Sequence, residues 1–228
     1  MSLTLAFDVY GTLIDTSGVI RSLEQLVGER ASLLSETWRN KQLEYSFRRG
    51  LMQNYRDFSV CTSQALDFSC AKLGIDLSSA AKAELLAQYR TLPAFPDVQK
   101  SLPGLKESGH RLFAFSNGLA GDVHQLLEHA GIEGWFDGVV SCDEIGSFKP
   151  NPAVYAHFLR RAHAGGAEAW LISGNPFDVI GAVSAGMRAA WVRRSPSAVF
   201  DPWEIEPTAT IPNLNDLHRA IDESPAST

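Results

Sequence analysis

Residues 3–12 read LTLAFDVYGT, and this stretch decides the fold. A mainly apolar run leads to Asp8, which is typical of a buried strand that ends at a carboxylate. Gly11 then allows a tight turn whose amide groups can point back at that carboxylate. The pattern makes Asp8 a candidate nucleophile, while its position alone equally allows an aspartate that only caps the turn.

Similar short apolar runs recur along the chain, separated by helical patterns. The runs are LTLAFD (3–8), RLFAFS (111–116), GVVSC (138–142), AWLIS (169–173) and AAWV (189–192), with helical periodicity at 98–107, 121–130, 151–163 and 177–186. This alternation predicts an α/β fold with a doubly wound, Rossmann-like parallel sheet. Ligands of such sheets bind beyond the carboxyl ends of the strands, and Asp8, Ser116 and Ser173 each close a run there.

Residues 16–92 break the alternation, because they contain only helical patterns. The segment TLPAFPDV (91–98) has two prolines, which disfavour helix at and before their positions. We therefore predict a core domain of residues 1–15 and 93–228, with residues 16–92 inserted as an α-helical cap subdomain. A cap over the strand ends would exclude water from the site. The tail after Asp222, ESPAST, is predicted to be disordered.

The composition narrows the class of protein. A chain of 228 residues with 45% hydrophobic residues can bury one sizeable core. Its net charge of -6 argues against nucleic acid or an anionic membrane as partner, and favours a small-molecule substrate. Three cysteines without metal-ligand or redox spacing, and the lack of a signal-peptide pattern or membrane-length apolar run, indicate a cytoplasmic protein.

Four motifs occur in an order that resembles the haloacid dehalogenase superfamily. They are FDVYGT (7–12), FSNG (115–118), FKPNPAVY (148–155) and SGNPFD (173–178). In that superfamily an aspartate nucleophile follows the first strand, a serine or threonine follows the second, and a lysine and an acidic loop come later. The resemblance covers essentially the whole chain and implies that Asp8 is the nucleophile.

The chain departs from the magnesium phosphatases of that superfamily at two positions. Tyr10 stands where they carry a second aspartate, and Ser173 and Gly174 stand where they carry a Gly-Asp pair, which leaves only Asp178. A divalent cation requires several oxygen ligands. We therefore expect no metal and no other cofactor.

These departures resemble the 2-haloacid dehalogenase branch, which has an S-x-N-x-x-D loop. TWRNKQLEYSFRRGLM (37–52) also resembles the pattern W-R-x-K-Q-L-E-Y of that branch, and its halide-binding arginine corresponds to Arg39. The resemblance implies conversion of (S)-2-haloalkanoic acids to (R)-2-hydroxy acids. It also implies a possible homodimer.

The resemblance and the chemistry assign roles around Asp8. Its carboxylate displaces halide from carbon and forms an ester. Arg39 and Asn117 take up the departing halide, with Phe177 as the apolar side of that cradle. Ser116 holds the substrate carboxylate. Near the nucleophile we expect Lys149, whose charge favours the ionised carboxylate, and Tyr155, which supports the lysine.

Hydrolysis of the ester requires a base, and Asp178 is the candidate, although an aspartate near the start of a helix at 177–186 can equally act as a cap. Thr12, Ser173 and Asn175 are expected to fix the carboxylates and the water. Tyr10, Leu43 and Phe58 are expected to line an apolar pocket, with core packing as the alternative for Leu43 and Phe58. Asn40 and the GNPF segment (174–177) are expected to face that pocket and to influence substrate preference.

Three alternative functions remain open at this level. The same aspartate attack could open a strained ring such as azetidine-2-carboxylate. A magnesium phosphatase of the same fold is a second alternative, and a binding protein without turnover is the third. The ordered set of reactive groups favours an enzyme, because a binding protein does not need them.

Overall fold

The computed structural model describes residues 2–224, and the end of the predicted disordered tail, residues 225–228, lies outside them. Six parallel strands form one sheet in the order β3-β2-β1-β4-β5-β6 within these residues. The strands are β1 (Thr4–Asp8), β2 (Arg111–Ser116), β3 (Gly138–Ser141), β4 (Ala169–Ser173), β5 (Arg188–Val192) and β6 (Ala209–Ile211). The predicted doubly wound parallel sheet is confirmed.

Nine α-helices accompany the sheet within residues 2–224. Four of them follow β1: α1 (Gly18–Val27), α2 (Ala31–Leu51), α3 (Phe58–Leu73) and α4 (Ser79–Gln88). The other five alternate with or follow the later strands: α5 (Val98–Glu107), α6 (Ala120–His129), α7 (Pro152–Arg161), α8 (Pro176–Ser184) and α9 (Leu217–Glu223). No helix within the described range is long and apolar enough to cross a membrane.

Strand β1 is central, with β2 on one side and β4 on the other. The chain therefore reverses its direction of travel across the sheet next to β1, which is where open α/β sheets place their ligand crevice. Asp8 is the last residue of β1 and pairs in register with Phe115. This position places Asp8 at the head of the crevice.

Both faces of the sheet are buried. Leu5 and Phe7 of β1 belong to a cluster that includes Leu102 and Leu126, whereas Ala6 faces the opposite cluster. Successive side chains of a strand point to opposite faces, so a strand covered by helices on both sides is apolar throughout. This accounts for the three consecutive apolar residues Leu5, Ala6 and Phe7 directly before Asp8.

Helices α1–α4 pack beside the strand ends rather than apart from the core. Leu34 and Trp38 of α2 belong to the same apolar cluster as Leu5 and Phe7 of β1. Trp38 Nε1 also donates to the carbonyl oxygen of Thr62, 2.8 Å away, which joins α2 to α3. The treatment of residues 16–92 as a separate subdomain stays a prediction.

Candidate active site

The Asp8 carboxylate is the centre of the site. Three side chains donate to its Oδ2 atom: Thr12 Oγ1 at 2.7 Å, Asn175 Nδ2 at 2.7 Å and Ser173 Oγ at 3.3 Å. Within residues 2–224, Lys149 Nζ is the one donor to Oδ1, at 3.2 Å. Oδ2 is therefore saturated, and Oδ1 keeps lone-pair capacity for a bond to a substrate.

The loop after Asp8 differs from the expectation in one respect. Gly11 has φ 82°, as the turn requires. The amides of residues 12–14 donate to the carbonyl oxygen of Val9, and no backbone amide of the described chain donates to the Asp8 carboxylate. The expectation that turn amides point at the carboxylate is wrong, because they close the turn itself. Side chains from distant segments hold Asp8 instead.

Lys149 is 1% exposed and uses all three ammonium protons. They go to Asp8 Oδ1 at 3.2 Å, to Asp178 Oδ2 at 2.8 Å and to the carbonyl oxygen of Phe115 at 2.8 Å. Burial alone would lower the pKa of Lys149, but the charges of Asp178 and Asp8 outweigh it and raise the pKa above its ordinary value. The lysine therefore stays protonated beside the candidate nucleophile.

Asp178 is completely buried behind this lysine. Its Oδ2 accepts from Lys149, and its Oδ1 accepts from the Tyr155 hydroxyl at 2.8 Å. Burial raises the pKa of Asp178, and the charge of Lys149 opposes that rise. Its carboxylate does not cap the helix: both oxygens are occupied by side chains from other segments.

Tyr155 forms its hydrogen bonds with Asp178. Its hydroxyl donates to Asp178, which also accepts from Lys149, so support of the lysine by Tyr155 would pass through this carboxylate and stays a prediction. Gly181 of α8 makes this contact possible, because a Cβ atom there would lie 2.3 Å from the Tyr155 hydroxyl oxygen. The two carboxylates and the lysine between them are therefore fixed by α7 and α8 together.

A small cavity lies in front of Asp8. Its volume is about 10 Å³, which corresponds to about one water molecule. The residues around it are Asp8, Tyr10, Arg39, Leu43, Phe58, Ser116, Asn117, Lys149, Asn175 and Phe177. Four predicted site residues lie behind this lining and do not border the cavity: Thr12, Ser173, Tyr155 and Asp178.

Asn40 is not part of this cavity. It is exposed on α2 and is absent from the cavity lining, in contrast to Arg39 and Leu43. Successive residues of an α-helix are about 100° apart, whereas residues four apart share a face. The expectation that Asn40 faces the substrate is therefore wrong, since the face that carries Arg39 and Leu43 turns Asn40 toward solvent.

Arg39 reaches the site from helix α2. Its Nη1 donates to Gln42 Oε1 at 2.9 Å, and its Nη2 donates to Asn175 Oδ1 at 3.3 Å. The Asn175 amide therefore joins Arg39 to Asp8, because its nitrogen donates to the carboxylate. This use of the side chain explains why Asn175, the residue before α8, does not cap that helix.

Gln42 was missed by the sequence reasoning. It is completely buried, and its Nε2 donates to Thr62 Oγ1 at 2.6 Å while its oxygen accepts from Arg39. The available sign was its spacing, because residues three apart lie on the same face of a helix. A buried glutamine three residues after a functional arginine points to a positioning role.

Ser116 and Asn117 present polar atoms to the cavity. Asn117 Oδ1 accepts from the backbone amide of Lys149 at 2.9 Å, so the other end of this side chain, the amide nitrogen, is left for a ligand. Ser116 Oγ accepts from the amide of Gly118 at 3.0 Å, and its own proton is the remaining donor. Two donors on one side of the cavity suit an anionic ligand.

Aromatic and aliphatic side chains form the rest of the wall. Tyr10 and Phe58 have ring centroids 6.1 Å apart, and Phe177 packs edge-on against Phe47 at 4.9 Å. Phe58 also belongs to a small apolar cluster, so lining the cavity and packing the core are compatible roles. The cavity thus has a polar side and an apolar side.

The structure bears on the phosphatase alternative through Gly174. A Cβ atom at this position would lie 2.5 Å from the carbonyl oxygen of Gly11. The aspartate of the phosphatase pattern therefore has no room here. Within residues 2–224, no group of three or more His, Cys, Asp or Glu side chains is arranged to hold a metal ion. The absence of a metal requirement stays a prediction.

The structure thus places a strand-end aspartate, Asp8, beside a buried lysine, Lys149, as the resemblance to the superfamily implied. A family model described as haloacid dehalogenase-like hydrolase matches residues 3–186. The chain belongs to the haloacid dehalogenase-like hydrolase family. The resemblance deduced from the four motifs is confirmed.

Known relatives match nearly the whole chain. Haloacetate dehalogenase H-2 of Moraxella sp. (strain B) is 33% identical, with 95% of this chain and 96% of the relative covered. (S)-2-haloacid dehalogenase 2 of Pseudomonas sp. (strain CBS-3) is 33% identical, with coverage of 96% and 95%. L-2-haloacid dehalogenase from Xanthobacter autotrophicus, solved with chloropropionic acid covalently bound, has a TM-score of 0.91 at 30% identity, with coverage of 99% and 100%. These relatives do not favour the ring-opening or phosphatase alternatives.

Proposed function

We propose that this protein hydrolyses short (S)-2-haloalkanoic acids to (R)-2-hydroxy acids through an ester on Asp8, without a metal ion. The observation that carries the proposal is that the two oxygens of the Asp8 carboxylate are bonded differently. Three donors saturate Oδ2, whereas in the described part of the chain Oδ1 accepts from Lys149 alone and so can still bond to a substrate in the adjacent cavity. A carboxylate held in this way is a positioned nucleophile. The covalently bound chloropropionic acid of the Xanthobacter autotrophicus enzyme supports a covalent route.

In the first step, an Asp8 oxygen bonds to C2 of the substrate while the carbon–halogen bond breaks. The halide leaves with the bonding electron pair, and Arg39 and the Asn117 amide nitrogen stabilise its charge. Ser116 donates to the substrate carboxylate and so presents C2 to Asp8. Attack opposite to the leaving group inverts the configuration at C2 once.

In the second step, water attacks the side-chain carbonyl carbon of Asp8, and the bond between that carbon and the ester oxygen breaks. The ester oxygen takes up the proton removed from the water and becomes the hydroxyl of the product, which keeps its inverted configuration, while the water oxygen remains in the carboxylate. Asp178 is the proposed acceptor of the water proton, and its raised pKa makes it a stronger base. Since Lys149 and Tyr155 occupy both of its oxygens, this role requires one of those hydrogen bonds to open.

The test is release of halide from chloroacetate and (S)-2-chloropropionate in excess chelator. We expect chloride and (R)-lactate from the latter, and Asp8→Asn should abolish release while the exposed control Asp76→Asn retains it.

The ester intermediate is tested separately with heavy-oxygen water. A single turnover in this water should label the Asp8 carboxylate and leave the product unlabelled. Label in the product of that turnover would show direct attack by water and would refute the ester. Activity on p-nitrophenyl phosphate that is lost in chelator would instead establish the phosphatase.

The setting of the enzyme is part of the same proposal. We infer a cytoplasmic enzyme with a small carboxylate as substrate and no nucleic acid or membrane partner, supported by the net charge of -6. From the resemblance to this family, whose members are often homodimers, we also infer a homodimer. Sedimentation of the purified protein tests the assembly, and a mass of one 24.9 kDa chain at micromolar concentration would contradict it.

A further inference from the structure

A second cavity lies next to the active site. Its volume is about 410 Å³, and it is bounded by the first turns of α3, one face of α4 and residues 118–122 of the core. This space, here called the outer chamber, is far larger than the cavity of about 10 Å³ in front of Asp8. It lies in the range of volumes that hold small organic ligands.

Tyr10 and Phe58 line both spaces and form the wall between them. Their ring centroids are 6.1 Å apart, so the two aromatic side chains lie next to each other between the two spaces. Tyr10 also packs on Gly118, where a Cβ atom would lie 3.4 Å from its ring. Rotation of either aromatic side chain would therefore join the two spaces without unfolding any element.

The small cavity in front of Asp8, here called the inner cavity, orients the alkyl chain of a bound substrate toward this wall. Arg39, Asn117 and Ser116 supply the donors for the halide and the carboxylate, and Asp8 takes the face of C2 opposite to the halide. The two remaining substituents of C2 are a hydrogen atom and the alkyl chain, and only the alkyl chain requires further space. Tyr10 and Phe58 form the apolar part of the wall that borders further space.

The outer chamber suits an alkyl chain. Ala83, Leu86 and Ala87 line it from α4 at spacings of three and four residues, which is one face of the helix. Tyr89 adds an aromatic surface, and burial raises its pKa to about 12, so the ring stays neutral at neutral pH. The charged groups that line it are Arg90, just after α4, and Asp122 of α6, which form an ion pair at 3.3 Å.

We propose that the outer chamber receives the alkyl chain of longer 2-haloacids, through the wall formed by Tyr10 and Phe58. This proposal rests on the proposed dehalogenation. It makes the chamber a determinant of chain-length specificity. Only the chain end enters it, so the reacting atoms keep the same positions for short and long substrates.

The test compares (S)-2-chloropropionate with (S)-2-chlorooctanoate in chloride-release assays. The wild type should turn over both acids. Ala83→Trp fills the chamber from α4 without contacting Asp8, so it should lower kcat/KM for the long acid about tenfold or more and change that for the short acid less than about twofold. Ala80→Trp is the matched control, since Ala80, like Ala83, is exposed on the same helix but lies outside the chamber, and it should leave both acids unaffected.

Three results would overturn the proposal. An equal loss for both acids in Ala83→Trp would make the chamber a common entry route, and no loss for the long acid would remove its role. A wild type that turns over the short acid but rejects the long one would also refute it, whereas a wild type inactive on the short acid would refute the proposed function itself. If Ala83→Trp does not fold, Ala87→Trp, one turn along the same face, repeats the test.

Discussion

Gln42 accepts a hydrogen bond from Arg39 at 2.9 Å while its other end donates to Thr62 on the neighbouring helix. The orientation of the arginine over the cavity therefore depends on how α2 packs against α3. Arginine has many rotamers, and holding one of them in place avoids part of the entropy cost of binding. Gln42 is a positioning residue for the group proposed to take up the halide.

Gln42→Leu keeps the size of the side chain but removes both hydrogen bonds. Loss of a positioned donor acts on the transition state, so we expect kcat/KM for (S)-2-chloropropionate to fall about tenfold, mainly through kcat. The matched control is Asn40→Ala on the exposed face of the same helix, which should change either constant less than about twofold. A loss confined to KM, or an equal loss in both variants, would contradict the positioning role.

Tyr155→Phe removes a donor to buried Asp178. The Tyr155 hydrogen bond lowers the pKa of this carboxyl, so its removal should raise that pKa further. The acid limb of the profile of kcat/KM against pH should then move to higher pH, with a loss in rate of about tenfold. Tyr55→Phe, which removes a comparable hydrogen bond to Asp143, should leave the profile unchanged. An unmoved acid limb in Tyr155→Phe would disprove this coupling.

Gly174→Asp should not convert the enzyme into a magnesium phosphatase. The new Cβ atom would meet the Gly11 carbonyl oxygen at 2.5 Å, and that contact is with backbone that cannot rotate away. We expect a loss of about 1–3 kcal/mol in the free energy of unfolding by urea denaturation. Gly121→Asp, at a position with open space, is the control and should cost little. A fully stable Gly174→Asp protein would show that the loop can shift.

His110 should make stability depend on pH. Burial lowers the pKa of His110, and the nearby His218 lowers it further. In the folded protein, Nδ1 of His110 accepts a hydrogen bond from the amide of Leu3 at 3.2 Å. The unfolded chain therefore binds a proton more readily than the folded one. The stabilisation is complete above the ordinary pKa near 6.5 and is lost as the pH falls from that value through the lower pKa of the folded state.

Urea unfolding at a series of pH values from about 7 to 5 measures this effect. His110→Asn keeps an acceptor for the Leu3 amide and removes the titration, so its stability should fall less steeply on acidification. Replacement of the exposed His129 by asparagine should leave the wild-type slope unchanged. Parallel curves for His110→Asn and the wild type would rule out His110 as the source.

Much of the fold follows from local pattern. The five predicted strands and four core helices all occur, with ends within two residues of the expected ones. Strand β6 and helix α9 were missed: β6 is three residues long and lies at the sheet edge, so it shows too little periodicity to be identified. Where a strand or helix begins and ends depends mainly on residues that are close in sequence, so the sequence shows these boundaries directly.

The partners of each side chain depend on contacts between distant segments. The amino-acid sequence by itself determined that Asp8 ends a buried strand and that Lys149 and Asp178 occur in motifs of this family. It also determined that helices separate the strands. Only the tertiary structure decided that Asn40 faces solvent, that Tyr155 bonds Asp178 and that Gln42 holds Arg39. It also decided that a chamber opens behind Tyr10, because such a space exists only where helices and sheet meet.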